Sequence, residues 1–273
     1  MPGVARLLRG VLRFQKHDRP KLMDSLNALK NNPQAKPYAL MLSCMDSRVF
    51  PREILSSEIG ALFILRNAGN MMPTAPMYTA CRGSNAAFAA DTHACPETAA
   101  LEFACLRTGV RELIICGHSD CRAMSALYDM YLDSSSFQAW SSLDLYLRKY
   151  GWPSVEKFRL RKERGPAMDP PLQFVRHIPG AAFDAVIDPD DQMRDVDILG
   201  QINVLQQLEN VATHHILREQ LLANQIRLHA LFFDVRSGDT LYFSKMAKQF
   251  VPITDNSVES LIEEIRKTDP VEE

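Results

Sequence analysis

Cys44-Met45-Asp46-Ser47-Arg48 and Cys116-Gly117-His118-Ser119-Asp120-Cys121 decide how this chain folds, because each stands at the end of a short apolar run. Tyr38 to Ser43 (YALMLS) leads into the first and Glu112 to Cys116 (ELIIC) into the second. Short apolar runs closed by turn residues are what strands buried on both faces of a parallel sheet look like. In open α/β sheets, ligands gather at the carboxyl ends of the strands. Two loops distant in sequence can therefore meet there, and these two carry soft donors in Cys44, His118 and Cys121. Two thiolates with one imidazole are among the three-ligand sets of catalytic zinc sites, which leave a fourth position for water or substrate.

The His118-x-x-Cys121 spacing lets a turn, or the first turn of a helix, aim both side chains the same way. By itself that spacing also suits core packing, since buried Cys is commonly a small hydrophobe. Asp46 and Arg48 tip the reading toward chemistry. A carboxylate two residues from a ligand can accept a hydrogen bond from activated water, and an Arg two further on can hold it ionised as a bidentate pair. The plain alternative is a surface salt bridge, a feature that contributes about 0 to 1 kcal/mol.

Outward from these segments the pattern alternates strand and helix. Ala61 to Leu65 reads as a further strand. Glu97 to Thr108 reads as a crossover helix, with Pro96 at its first position and Gly109 just past its end. Asp197 is placed to cap a long helix whose apolar positions include Ile198, Leu199, Ile202, Leu205, Leu208 and Val211. Ile226 to Asp234 and Thr240 to Ser244 flank Arg236-Ser237-Gly238-Asp239 and read as a terminal hairpin. The fold class predicted is α/β, a mostly parallel sheet flanked by helices with a C-terminal antiparallel hairpin. Residues 1–273 read as one domain, with an N-terminal helical arm over about 1–30 and a surface excursion over about 131–193. Within that excursion the basic Lys157 to Arg164 patch reads as a solvated face.

With 273 residues, 46% of them hydrophobic, and a net charge of −2, the chain can bury a large core. That charge makes nucleic acid and anionic membrane surfaces unexpected partners. No apolar run reaches the length of a membrane span. Six cysteines in such different contexts do not make a disulfide scaffold. Cys105 and Cys116 read as core thiols, and Cys81 and Cys95 as loop residues; thiolate ligands favour a reducing compartment. Val4 to His17 carries Leu7, Leu8, Val11 and Leu12 on one face and Arg6, Arg9, Arg13 and Lys16 elsewhere, with no acid. This suits either a mitochondrial transit peptide or a helical arm of the domain, and the arm is preferred. His17, His93, His177, His214, His215 and His229 read as structural or solvated.

Cys-Met-Asp-Ser-Arg-Val-x-Pro from Cys44 to Pro51, Arg-Asn-Ala-Gly-Asn from Arg66 to Asn70, the Cys116 to Cys121 hexapeptide, LQQLENVA from Leu205 to Ala212 and LHALFFDVRSGDTLYFS from Leu228 to Ser244 together resemble the β-class carbonic anhydrases, in particular their animal branch. The resemblance implies one Zn2+ per chain on Cys44, His118 and Cys121. It implies reversible hydration of carbon dioxide to bicarbonate and a proton by attack of zinc-bound hydroxide, with Asp46 and Arg48 as the catalytic pair. Phe63, Ala68 and Phe103 fall where pocket-wall residues belong. Gln34 lies one residue out of register with a substrate-binding Gln of plant members. Arg122 stands where many members have Gly, so a long side chain has to find room at the pocket while a backbone N–H stays available to substrate. Met41 replaces a Trp that some bacterial members use in bicarbonate inhibition, so Arg48 is expected to hold Asp46. A homodimer or higher homo-oligomer, and an intracellular place with cytoplasm preferred over mitochondrion, are also implied. Two other functions share these residues: hydrolysis of carbon disulfide or carbonyl sulfide on the same fold, and zinc binding without catalysis.

Overall fold

A computed structural model describes residues 2–32, 34–75, 95–167, 169–175 and 182–268. Cys81, His93 and His177 lie outside the described residues. The chain opens with helices α1 (Pro2–His17) and α2 (Arg19–Lys30), then enters β1 (Ala39–Cys44), the short α3 (Pro51–Ile54) and β2 (Leu62–Asn67). Helix α4 (Pro96–Leu101) leads to β3 (Glu112–His118), followed by α5 (Arg122–Leu132) and α6 (Ser142–Arg164). Next come β4 (Leu172–Phe174), β5 (Phe183–Ala185), α7 (Asp195–Ala212), α8 (Arg218–Leu222), β6 (Arg227–Phe233), β7 (Thr240–Ser244), β8 (Gln249–Pro252) and α9 (Val258–Thr268).

The main sheet has the order β2-β1-β3-β6-β7-β8. Its first three pairings are parallel, and β6-β7 and β7-β8 are antiparallel. The order fulfils the α/β expectation and adds β8, a short strand whose half-exposed residues give no clean alternation in the sequence. β4 and β5 pair separately as a small antiparallel ribbon. Because β1 and β3 run side by side and in parallel, with Ser43 opposite Cys116, the loops that leave them emerge at the same sheet end. That register is what brings the two quoted segments together.

Helix α7 packs across β3 and β6, and nearly every residue in it is buried, including Ile198, Leu199, Ile202, Val204, Leu205 and Leu208. Gly117 permits this approach: a Cβ there would stand 2.4 Å from Val204 Cγ2. The buried polar residues of α7 serve the chain beside it. Asn203 donates to Gly69 O at 3.0 Å, Asn210 donates to Met72 O at 2.8 Å, and Gln207 accepts the Met72 N–H at 2.7 Å. The segment from Ala68 to Met72 is thus pinned to the core helix.

Three local expectations are corrected. Arg194, not Asp197, is the N-cap residue of α7, and Asp197 sits buried in its first turn. The predicted 97–108 helix keeps Pro96 at its start but changes at Glu102 to the wider π winding, with the Thr108 N–H donating to Phe103 O. Residues 131–193 are more than a surface excursion, because α6 buries Leu147, Val155 and Phe158 in the common core. Its basic patch is likewise split. Arg161 is 2% exposed and donates to Ile187 O, Asp188 O and Asp191, while Lys157 pairs with Gln206 and Glu209. Among the described residues no helix is long and apolar enough to cross a membrane. The N-terminal arm is helical, and its Leu7, Leu8, Val11 and Leu12 are exposed.

Candidate metal centre

Strand β1 ends on Cys44, β3 ends on His118, and Cys121 is the N-cap residue of α5. All three are buried, and their donor atoms lie within 4.8 Å of one another. Among the described residues this is the one cluster of three or more metal-binding donors. The two sulfurs are 3.8 Å apart. Two sulfurs each about 2.3 Å from one tetrahedral zinc would stand about 3.8 Å apart, so the spacing fits that ion.

The imidazole is prepared in the same sense. His118 Nδ1 lies 2.8 Å from the Ser119 carbonyl oxygen, an acceptor, so the proton belongs on Nδ1. Nε2 is left as a lone-pair donor, buried and without a hydrogen-bond partner. A metal-ligating His almost always commits its other nitrogen in this way. Ser119 is held in turn, donating to Asp234 Oδ1 at 2.6 Å and accepting the Val235 N–H at 3.0 Å.

Charge on the sulfurs is supported by the backbone. Cys44 is drawn down to about 4, first by its hydrogen bond with Cys121, against the opposing effect of burial, with help from His118 and the Gly69 and Asp46 N–H groups. Gly69 N is 3.4 Å from Cys44 Sγ, and it points there because Gly69 adopts φ 75°, a left-handed conformation that favours glycine. Cys121 rises well above an ordinary thiol, first through Cys44 and then through burial, while the Met124 and Ala123 N–H groups at the start of α5 act the other way. Thiolate is the form that ligates, so binding of a cation releases the protons the sulfurs still carry. Cys105 and Cys116, by contrast, are pushed up to about 12, in each case chiefly by burial.

Asp46 stands beside the cluster, its Oδ2 4.0 Å from His118 Nε2. Arg48 grips it from the other side. Nε donates to Oδ1 at 3.0 Å, Nη2 to Oδ2 at 2.8 Å, and the Arg48 backbone N–H to Oδ1 at 2.9 Å. The Arg48 hydrogen bonds hold the Asp46 carboxyl well below the usual carboxylate range. Arg66 ties the loop to the sheet, donating to Cys44 O from Nε and Nη2 and to Asp46 O at 2.7 Å.

The other predicted residues separate. Phe63 on β2 and Phe103 meet edge to face with ring centroids 5.4 Å apart, and Phe103 is half exposed. Ala68, partly buried against the core, begins the turn that carries Gly69. Arg122 is exposed at the first position of α5, and Gln34 is exposed in the loop before β1, its N–H on Asn32. Met41 is fully buried with Cys116 and Leu231. Sequence reasoning missed Asp120, Arg194 and the part Asp197 plays. Asp120 accepts Arg48 Nη1 at 2.7 Å, and its N–H donates to Asp197 Oδ1 at 2.7 Å. Asp120 lay inside the quoted hexapeptide, but only the fold reveals its partners.

Residues 39–240 match the family described as carbonic anhydrase. The chain belongs to that family, and within it to the β class, whose members are carbonate dehydratases. Its place there is the animal branch: over 269 residues it is 39% identical to "Beta carbonic anhydrase 1" of Caenorhabditis elegans, spanning 98% of this chain and 95% of the relative. Among solved structures it superposes on the β-carbonic anhydrase CcaA with a TM-score of 0.68 at 24% identity, covering 93% and 94% of the two chains. A tetrameric β-carbonic anhydrase from Sordaria macrospora gives 0.59 at 20% identity, covering 89% and 97%. Both show the shared fold.

Proposed function

We propose that this chain hydrates carbon dioxide reversibly to bicarbonate and a proton, using one zinc ion per chain held by Cys44, His118 and Cys121. One observation carries the reading: the buried, unpartnered Nε2 of His118 stands with two sulfurs whose separation matches a tetrahedral zinc. Zinc held there supplies a water acidic enough to act as a nucleophile near neutral pH.

The chain's own residues do the rest. Asp46, kept ionised by Arg48, accepts a hydrogen bond from the attacking water and turns its lone pair toward the incoming carbon. Arg48 also keeps that carboxylate away from the donor cluster. The backbone N–H of Gly69 stabilises the Cys44 thiolate. Ala68, in the turn that carries Gly69, supplies an apolar wall for an uncharged substrate, while Phe63, opposite Leu40 toward the other end of β2, and Phe103 packed on it are assigned to the cleft of a partner subunit. The Arg122 backbone N–H at the start of α5 is assigned to the oxygen atoms of substrate or product, and the Gln34 amide, in the loop that enters β1 at the end away from Cys44, to those in the site of a partner subunit.

In this reading residues 1–273 act as one domain with a helical arm over 1–30, working as a homodimer or higher homo-oligomer inside the cell, where thiolates stay reduced. Stopped-flow measurement of carbon dioxide hydration with a zinc count per chain tests it. Stoichiometric zinc with fast hydration is the expected result. Stoichiometric zinc with hydrolysis of carbonyl sulfide or carbon disulfide alone, or with no turnover, overturns it.

A further inference from the structure

Arg48 is gripped on two sides, and only one grip has been given a function. Besides its bidentate pair with Asp46, Nη1 donates to Asp120 Oδ2 at 2.7 Å and Nη2 to Asp120 O at 2.8 Å. Asp120 is in turn fixed at its backbone. It adopts φ 56°, in the left-handed region, and donates its N–H to Asp197 Oδ1. Asp197 is fully buried and is paired with Arg194 at 3.0 Å and Arg236 at 3.3 Å. Arg194 Nη2 also reaches Asp120 Oδ1 at 3.3 Å. The second grip therefore runs from Arg48 to a carboxylate anchored on the core helix α7.

This matters because Arg48 is 42% exposed. A long exposed side chain held by one partner keeps much of its rotamer freedom. Held by Asp46 through Nε and Nη2 and by Asp120 through Nη1 and Nη2, the planar guanidinium has one orientation. We propose that Asp120 is a positioning residue for the hydration reaction: by fixing the guanidinium plane of Arg48 it fixes the edge that Asp46 turns toward the donor cluster. Asp46 lies 4.0 Å from His118 Nε2, so a carboxylate freed by a loosened Arg48 competes for the position that substrate or water needs. The proposal rests on the carbonic anhydrase reading, but its main test does not depend on turnover.

The test uses full-length protein with cobalt(II) in place of zinc, titrated with azide and followed by visible absorption, which reports the open coordination position directly. Asp120→Gly removes the carboxylate without straining the positive φ, and Asp120→Asn keeps an acceptor and tolerates that φ. Loss of a partner one step removed from a metal site costs about 10- to 100-fold, and Asp120, acting through Arg48 and Asp46, is expected at the lower end of that range. Asp120→Gly should bind one metal per chain, weaken azide about 10-fold, and lower kcat in the zinc enzyme by a similar factor with little change in KM. Asp120→Asn should recover most of both. Added to Arg48→Ala, Asp120→Gly should change neither, because it acts through Arg48. Wild-type azide affinity in Asp120→Gly, or an equal loss with and without Arg48, overturns the proposal. If Asp120→Gly does not fold, the same cycle with Asp120→Asn decides. A wild-type chain that fails to hydrate carbon dioxide would sink the functional reading alone, since the azide titration still reads the grip on Arg48.

Discussion

His118 and His229 sit on neighbouring parallel strands, buried in the same sheet, and meet opposite fates. His118 ends β3 with Nδ1 committed to Ser119 O and Nε2 left without a partner between two sulfurs. His229, nearer the start of β6, has both nitrogens engaged: Nε2 lies 2.7 Å from Glu112 Oε2 and Nδ1 lies 3.0 Å from the Tyr242 hydroxyl. Glu112 is paired further with Arg227. Buried polar groups in folded proteins are normally satisfied, so a buried nitrogen left open beside other open donors marks a binding site. The closed cluster at the other end of the strands holds the sheet together. Residue type and burial are alike at the two positions; hydrogen-bonding capacity left over is what differs.

The largest expected effect breaks this comparison or keeps it. Cys44→Ser, Cys121→Ser and His118→Ala should each lose zinc and carbon dioxide hydration together, whereas His229→Ala should keep one zinc per chain. Metal analysis of purified, folded variants with stopped-flow hydration decides. Stoichiometric zinc in Cys121→Ser, or its loss in His229→Ala, would erase the distinction.

Next in size is the residue that separates holding the metal from using it. Asp46→Asn removes the charge that Arg48 holds but leaves all three donors, so zinc should remain. Hydration should fall by about 10²- to 10⁴-fold, the range for a positioned acid-base group. Near-normal hydration at pH 8 in a zinc-loaded variant would refute the role given to Asp46.

The closed cluster should act on stability instead. Burial raises the Glu112 pKa, but hydrogen bonds from His229 and Arg227 outweigh it and bring the group from 4.5 down to about 2. A carboxylate depressed by folding stabilises the native state above its unfolded pKa and loses that contribution as pH falls through the folded one. Glu112→Gln should therefore cost about 3 kcal/mol at pH 7, with hydration and zinc content unchanged. The gap to wild type should close as pH falls from about 4.5 toward 2. Urea unfolding across that range is the measurement, and a gap that widens toward low pH would reverse the assignment.

The two ends of the strands were not equally legible. Cys44, His118 and Cys121 could be grouped because parallel strands send their loops to one end, a rule that needs only the apolar runs and their turns. The Asp46–Arg48 pair was legible because it is local, two residues apart. Asp120 and Asp197 were not, because their pairing joins a loop to a helix 77 residues away and depends on the left-handed turn at Asp120. Glu112, His229 and Tyr242 meet only through strand register, which alternation within one strand does not fix. Helix α6 was undervalued for a different reason: charged residues interrupt its apolar face, and Arg161 is buried by carbonyl partners that composition cannot reveal.

The smallest effect concerns the cysteines, where the same contrast recurs in one residue type. Cys105 and Cys116 are buried like Cys44 and Cys121, yet each is pushed up to about 12, chiefly by burial. At pH 8 such a thiol is ionised to roughly one part in 10⁴, which leaves it inert as nucleophile and ligand. Cys105→Ala removes only a sulfur packed in the core beside α4, so zinc per chain and hydration should stay at wild-type values. Stability should drop by about 1 kcal/mol, the ordinary cost of a single core substitution. Urea unfolding combined with a zinc count reads both at once. A Cys105→Ala protein that unfolds at the wild-type midpoint but has lost zinc would mean that burial and an elevated thiol pKa do not separate core cysteines from ligands in this chain.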